Sequence, residues 1–518
     1  MNAAIQKTGE CRDRRPWFPP LVGLRPKSRL KTTLFWAGVR AVVNLILLLI
    51  PSLSSAQIQQ AWVATYNNGV TNGNHQALFM KLDPAGNLIV AGRSQNTNGA
   101  LDYVTLKYAP NGALLWSARH GSGTSDTPRD LAVDTNGNIH VTGTYDTVKY
   151  DGNGNLLWTA PYAGRALALG SDGTVHVTGY LNTMFSTVKL AANGTNLWAR
   201  TLSFAGTNSQ SQVITLDATD NVYVAGQANC YPGPPTSYVT YAVVKYALNG
   251  AQQYVTSHPG CFELFSSVKG LFLGTDGVLY VAAEQDSDNY HAAGYGPTGE
   301  FLWRYALAHG NAIGLGSAAI NSKNEIFMTG TYPVRFTTVK VGTNHLSAWE
   351  RRYGDLGFGG NGGNALVMDA TDSVYVTGFS TTATTGKDAV TIKYDTEGTQ
   401  LWLQRYDGQA QGNDEGKTIA VDAQGSVYVA GYQTVPGGGT EIILIKYGSL
   451  QNIAVQTNAT VNLQWFGKVG QSYRIQASTT LTNWTDLATV QANSNNIYSF
   501  QDTNAPAYSY RFYRSVSP

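Results

Sequence analysis

A chain of 518 residues is too long for one compact core, so two or more domains are expected. Only 13% of the residues are charged, while Gly (56), Tyr (30) and Trp (11) are abundant, a balance that suits strands and tight turns better than long surface helices. The formal charge of +2 misleads: residues 1–56 hold nine of the 35 Lys/Arg and two of the 33 Asp/Glu, so the remainder is net acidic and lacks the basic footprint of a nucleic-acid binder.

In chain order, residues 1–56 read as an export signal. A basic stretch precedes the short apolar run 41–50, and Ser54-Ser55-Ala56 offers small residues for cleavage before Gln57. A transmembrane anchor is the competing reading, but Arg40 and Asn44 interrupt the apolar stretch and leave it short for a bilayer. The expectation is a bacterial protein that is secreted or held in the cell envelope, monomeric, with no membrane span once the signal is removed.

From Trp62 to Tyr447 one pattern recurs. Its first half is seen in "AVDTNGNIHVTG" (132–143) and "AVDAQGSVYVAG" (420–431), its second in "VKYDGNGNLLW" (148–158) and "IKYDTEGTQLW" (392–402). A turn residue and a small residue stand six apart, as in Gly137/Gly143, Asp220/Gly226, Asn324/Gly330 and Gly425/Gly431; the turn residue is always Gly, Asn or Asp, types that tolerate a left-handed backbone. Lys and an aromatic stand nine apart, as in Lys107/Trp116, Lys245/Tyr254 and Lys393/Trp402. Each spacing marks a β-hairpin, and two hairpins per unit of about 40–55 residues make a four-stranded propeller blade. The last repeat lacks its fourth strand, while "AWVATYNNG" (61–69) supplies an extra one at the start. Residues 61–67 are therefore expected to pair antiparallel with 442–447, giving an all-β, eight-bladed β-propeller over 57–449 closed by its N-terminal strand.

These residues resemble the bacterial SBBP-type β-propeller repeat, in which Asp-x-x-Gly-Asn-x-Tyr-Val-x-Gly precedes Lys-x-x-x-x-Gly and Trp. The resemblance covers most of 61–447 and implies a propeller on a secreted or surface protein, with no shared catalytic residues. Residues 450–518 alternate apolar and polar positions around Asn/Thr-rich turns, as in "YRIQASTTLTNWTDL" (473–487), and read as a small β-sandwich. This tail looks like a fibronectin-type-III-like module.

Candidate chemistry is sparse. His140 and His176 occupy a position held elsewhere by Tyr223, Tyr280, Phe327, Tyr375 and Tyr428, so packing explains them. Asp102, Asp388 and Glu441 lie five residues before the repeat Lys, and Asp126 and Asp414 eight before a repeat Asp, so the fold explains these too. The acidic cluster that repetition does not explain is Glu284, Asp286 and Asp288; a solvated loop is the plain reading, and calcium is the metal such oxygens would suit. No cofactor is otherwise expected. Cys230 and Cys261 lie in the strand 2–3 loop of blade four and the link to blade five, both on the face of variable loops, and are expected to form a disulfide.

That face is where function is expected, because loops on a rigid scaffold carry most binding sites. Tyr231, Tyr238, Phe262, Phe265 and Phe358 are its candidate contacts to a protein or glycan partner. The leading reading is a non-catalytic binding or scaffold propeller. The alternative is an enzyme with its site in the channel: a hydrolase, a lyase or a quinone-type oxidoreductase. The stretch "DxxGxLLW" is similar to repeats of quinone-dependent dehydrogenases, a likeness that implies adjacent cysteines and a calcium-bound quinone; this chain has no adjacent cysteine pair.

Overall fold

The computed structural model describes residues 58–516 apart from 71, 182–183, 205–208, 234–235, 258–264, 286–288, 308–313, 333, 355–359, 383, 449–451, 456–459, 467–471, 480–482, 492, 494–496 and 509–510. Side chains at 59, 230–238, 265–266, 289, 452–455, 464–466, 497, 514 and 516 also lie outside it.

Among the described residues, the chain from 59 to 448 forms eight four-stranded antiparallel sheets. Sheets one to seven are meanders of consecutive strands spanning 75–120, 128–160, 166–202, 210–257, 265–306, 315–353 and 361–406. Sheet eight takes Glu415–Val421, Val427–Thr434 and Thr440–Gly448 from the end of this region and Gln59–Tyr66 from its start. The joining pair is antiparallel, with Trp62 opposite Lys446 and Tyr66 opposite Ile442.

Local chemistry sets the hairpins. In sheet two, Asp134 Oδ1 accepts from the backbone of Asn136 and Asn138 at 2.9 and 2.8 Å, and Oδ2 accepts the Asn138 side-chain amide at 2.8 Å. This aspartate turn forces a left-handed residue next, Gly137 at φ 80°; Asp220, Asn324 and Asp372 take the same conformation at φ 59–63°. The repeat Lys then reaches back to the turn carboxylate: Lys107 to Asp83 at 2.9 Å, Lys340 to Glu325 at 3.0 Å, Lys393 to Asp369 at 3.4 Å.

In most sheets a strand-two aromatic, the Lys and the Trp stand in one row, as in Tyr375, Lys393 and Trp402, while sheet one has Ile89 in the aromatic place. Lys393 Nζ lies 4.5 Å from the Tyr375 ring centroid and Lys446 4.9 Å from that of Tyr428, so the stem is sandwiched and the charge faces a π-surface. His140 and His176 fill the aromatic position, buried edge-on to Trp158 and Trp198.

The row also ties each sheet to the next. Trp116 Nε1 donates to Gly152 O of sheet two at 3.1 Å, Trp198 to Leu248 O of sheet four at 3.2 Å, and Trp349 to Thr396 O of sheet seven at 3.0 Å. The indole lies flat on the turn glycine of that neighbour: a Cβ on Gly154 would stand 2.7 Å from Trp116, and one on Gly398 2.7 Å from Trp349. Here glycine is required twice, by its positive φ and by the ring above it. Tyr254 does the same work over Gly299, and His345, at φ 61°, replaces the glycine by stacking on Trp303 at 4.1 Å. In sheet five Gly294 stands in the Lys position, and the Trp303 indole fills the space above it.

Buried apolar clusters lie between neighbouring sheets. Ile89, Ala91 and Tyr103 of sheet one meet Leu131, Ile139 and Val141 of sheet two. Trp62, Tyr428, Ile442 and Leu444 of sheet eight meet Met80, Leu88, Val104 and Tyr108 of sheet one, and Trp62 covers Gly112. The chain is thus all-β and built of propeller-type blades. After it, two three-stranded sheets share a small core: Leu463 and Tyr498 from one, Ile475 from the other, with Tyr473 stacked on Tyr498 at 4.2 Å.

Candidate binding cavity

In seven sheets the pairing of the first two strands slips by one residue, a β-bulge. The residues left over are Leu78, Arg129, Gln212, Lys269, Gly316, Asn364 and Lys417. In sheet three, Arg165 holds the matching place just ahead of Ala166–Leu169, its N donating to Thr178 O at 2.7 Å. These eight residues, one from each sheet, line a cavity of about 540 Å³ together with Phe79, Val213, Ser267 and Val268. A bulge re-aims a side chain that would otherwise pack between sheets, and here it does so in seven of the eight sheets.

The same bulges explain the small residue six after each turn. A Cβ on Gly92 or Gly226 would lie 2.2 Å from Gln76 O or Gln210 O, and one on Gly330 2.3 Å from Gly314 O. Glycine stands there because the bulged strand presses its backbone onto it.

The wall is cationic. Arg129, Arg165, Lys269 and Lys417 come from four sheets, and no Asp or Glu is among the described lining residues. Lys417 shares Glu415 at 2.9 Å with the Asn364 amide at 3.0 Å and Tyr432 OH at 2.7 Å. Arg165 is half-buried; burial and the neighbouring Arg129 charge hold its pKa below the usual guanidinium range, and its Nε has no hydrogen-bond partner. Amides brace the ring: Gln212 Oε1 accepts from Val268 N at 2.7 Å, and Asn364 Nδ2 donates to Gly416 O at 2.8 Å.

None of the eight was singled out in the sequence. The signal was present: each stands five residues before the first residue of the turn (Leu78/Asp83, Arg129/Asp134, Arg165/Gly170, Gln212/Asp217, Lys269/Gly274, Gly316/Asn321, Asn364/Asp369, Lys417/Asp422), a fixed spacing in a column of varying residues.

The residues that were singled out are placed differently. Glu284 lies within the strand Leu279–Gln285 and accepts from Ser267 Oγ at 3.2 Å, while Asp286 and Asp288 lie outside the described residues. Cys261, Phe262 and Phe358 lie outside them as well. Cys230 and Tyr231 belong to the strand Val222–Gly233, Tyr238 to Thr236–Tyr246 and Phe265 to Phe265–Leu273, their side chains undescribed. This corrects the expectation of loops: Tyr231, Tyr238 and Phe265 sit on strands. The nineteen-residue interval from Gly226 to Lys245 is a long hairpin, because its Val, Thr and Tyr residues keep pairing as far as Cys230/Tyr238 and Gly233/Thr236.

A different acidic group does come together. Asp388, Asp407 and Asp414 can place one oxygen each within 4.8 Å of one another where the sheet-seven hairpin meets the link to sheet eight. Asp388 pairs with Arg405 at 2.5 Å, and burial is the first cause that pushes Asp414 up to about 6. At the equivalent place after sheet one Asp102 pairs with Arg119 at 2.8 Å, and Gly121 stands where sheet seven has Asp407.

Residues 115–144 match the family described as SBBP, Beta-propeller repeat. Solved structures similar in fold include a protein of unknown function from Bacteroides caccae (11% identity, TM-score 0.35, 67% of this chain and 97% of that one). Others are the extracellular domain of a putative hybrid two-component system from B. thetaiotaomicron (10%, 0.35, 85% and 70%) and a periplasmic gluconolactonase of Pseudomonas aeruginosa (14%, 0.38, 71% and 99%). No curated protein matches, and nothing about activity follows from likenesses this distant. The recurring four-stranded sheets and the matched repeat show a β-propeller repeat protein, with the SBBP match confined to residues 115–144.

Proposed function

We propose that the eight sheets are the blades of one closed propeller and that the exported chain works as a binding module, with the cavity at its hub as the ligand seat. Closure is supported by the pairing of Gln59–Tyr66 with Thr440–Gly448 and by Trp62 lying on Gly112 of sheet one. The observation that carries the binding role is the ring of bulge residues, one per sheet, turned into a single cavity. Its described lining supplies cations and amides that hold a ligand. The two C-terminal sheets, in the orders first-second-fifth and fourth-third-sixth strand, support a fibronectin-type-III-like spacer or attachment module. Among the described residues no helix is long and apolar enough to cross a membrane.

The test is residues 57–518 screened on a glycan array and in pull-downs, beside a panel of hydrolase, lyase and dehydrogenase substrates. Binding without turnover supports the module; turnover abolished by substitutions in the ring would replace it with the enzyme reading.

A further inference from the structure

We propose that the ring of bulge residues binds a small polyanion carrying two or three carboxylate, sulfate or phosphate groups. The inference rests on the closed-propeller reading above and names the chemistry of its ligand.

Leu78, Gln212 and Asn364 show that apolar and amide side chains fit the same bulge, while Gly316 is held to glycine because a Cβ there would lie 2.1 Å from Gly363 O. Four of the eight are nevertheless cations and none is acidic. Chance placement on a net acidic body would mix the signs. Elsewhere on the repeat, cations are spent on partners: Lys107, Lys340 and Lys393 each hold a turn carboxylate. Arg129, Arg165 and Lys269 hold no carboxylate among the described residues. Gathering like charges in a partly dry hub is unfavourable unless an anion completes it.

The spacing defines the anion. Arg129 and Arg165 come from adjacent sheets two and three and form one pole. Counting round the ring, one sheet separates that pole from Lys269 in sheet five, one separates it from Lys417 in sheet eight, and two separate the lysines. Three basic poles, of which Lys417 already carries the Glu415 ion pair, are therefore spread almost evenly round a space of about 540 Å³, the scale of a small polycarboxylate or an acidic sugar. Two neighbouring guanidinium groups favour an oxyanion that takes paired hydrogen bonds.

Calorimetric titration of residues 57–518 with tricarballylate, glutarate, acetate, inorganic phosphate and cellobiose tests this. Tricarballylate is expected to bind at least tenfold more tightly than acetate, and raising the salt should weaken it. Phosphate against the carboxylates then tells which oxyanion the poles prefer. The double variant Arg129→Gln/Arg165→Gln should weaken tricarballylate at least tenfold with an unchanged melting temperature, whereas Lys323→Gln, on an exposed lysine paired with Asp372, should change nothing. Equal affinity for tricarballylate and acetate, or an unchanged affinity in the double variant, overturns the proposal. The binding-module reading survives that outcome if array or pull-down ligands still bind without turnover, so the two ideas fail separately.

Discussion

Each repeat contributes two sets of positions, an outer one where sheets meet and an inner one lining the cavity. In the outer ring, Trp, Lys, the turn carboxylate and the turn glycine recur almost unchanged, and where one departs, as His345 does for glycine, another contact replaces it. In the inner ring nothing recurs except the bulge. The outer positions are constrained because each packs on the neighbouring sheet; the inner positions face the cavity, and only some of them, such as Gln212 and Asn364, also bond the next sheet. A repeat protein can thus hold its architecture fixed while one column in each unit changes freely.

The largest effect expected comes from breaking the outer ring where it joins the two ends of the chain. Deleting residues 58–66 removes the strand opposite Thr440–Gly448 and lifts Trp62 from Gly112. Scanning calorimetry should then show the cooperative transition of the 59–448 region lost or moved to much lower temperature. An unchanged transition would mean that the joining strand is ornamental.

A single wedge is the next test. Trp349→Ala removes a buried indole, its hydrogen bond to Thr396 O and its cover over Gly398. It should cost about 3–5 kcal/mol in urea unfolding, the usual range for a buried Trp. A cost below ~1 kcal/mol would place the Trp column with the freely varying positions.

The histidines sharpen the comparison through pH. Burial pushes His140 and His176 down to about 4, so the folded state keeps both rings neutral while the unfolded chain protonates them below about 6.5. Stability should therefore fall as pH drops from 6.5 towards 4, by up to roughly 3 kcal/mol for each ring. The variant His140→Tyr/His176→Tyr installs the residue used at Tyr375 and Tyr428, whose hydroxyls donate to turn aspartates at 2.8 and 3.0 Å. It should flatten that part of the pH profile, read by denaturant midpoints at each pH. An unaltered slope would show that the two positions are not equivalent.

The smallest effect belongs to the hub. Lys269→Ala should move the unfolding midpoint by less than about 0.5 kcal/mol, because its side chain is exposed and holds no ion pair among the described residues. A large loss would make the inner ring structural and remove the contrast between the two.

Much of this was legible in the sequence, for physical reasons. Hairpins announce themselves through short-range rules: Asp134 caps its own turn, and Gly137 must be left-handed, so spacings of a few residues suffice. The pairing of Trp62 with Lys446 was also readable, since a missing strand at one end and a spare one at the other leave little choice. What stayed hidden involves two sheets at once. The nine-residue Lys–Trp interval is visible in the chain, but that Trp349 needs Gly398 of the following unit is a contact across a gap no local spacing encodes. The bulges were hidden for a related reason: Gly92 and Gly226 were seen as small residues, while the carbonyls that require them lie on another strand. The eight cavity residues stayed hidden because a varying column carries no pattern along the chain until the bulges line it up in space.

The joining of Gln59–Tyr66 to Thr440–Gly448 also has a consequence for time. Sheets one to seven are built from neighbouring hairpins and can form as each segment is made. Sheet eight cannot: its first strand is synthesised early, and its partner arrives some 375 residues later. At ribosomal speeds of about 5–20 residues per second, that strand waits on the order of tens of seconds with an open edge. Throughout that interval the stretch around Trp62 is a free β-template, exposed to mispairing with another nascent copy or with its own unfinished sheets. This seam is thus both the last sheet contact of the 59–448 region to form and the point at which its assembly is most exposed to error.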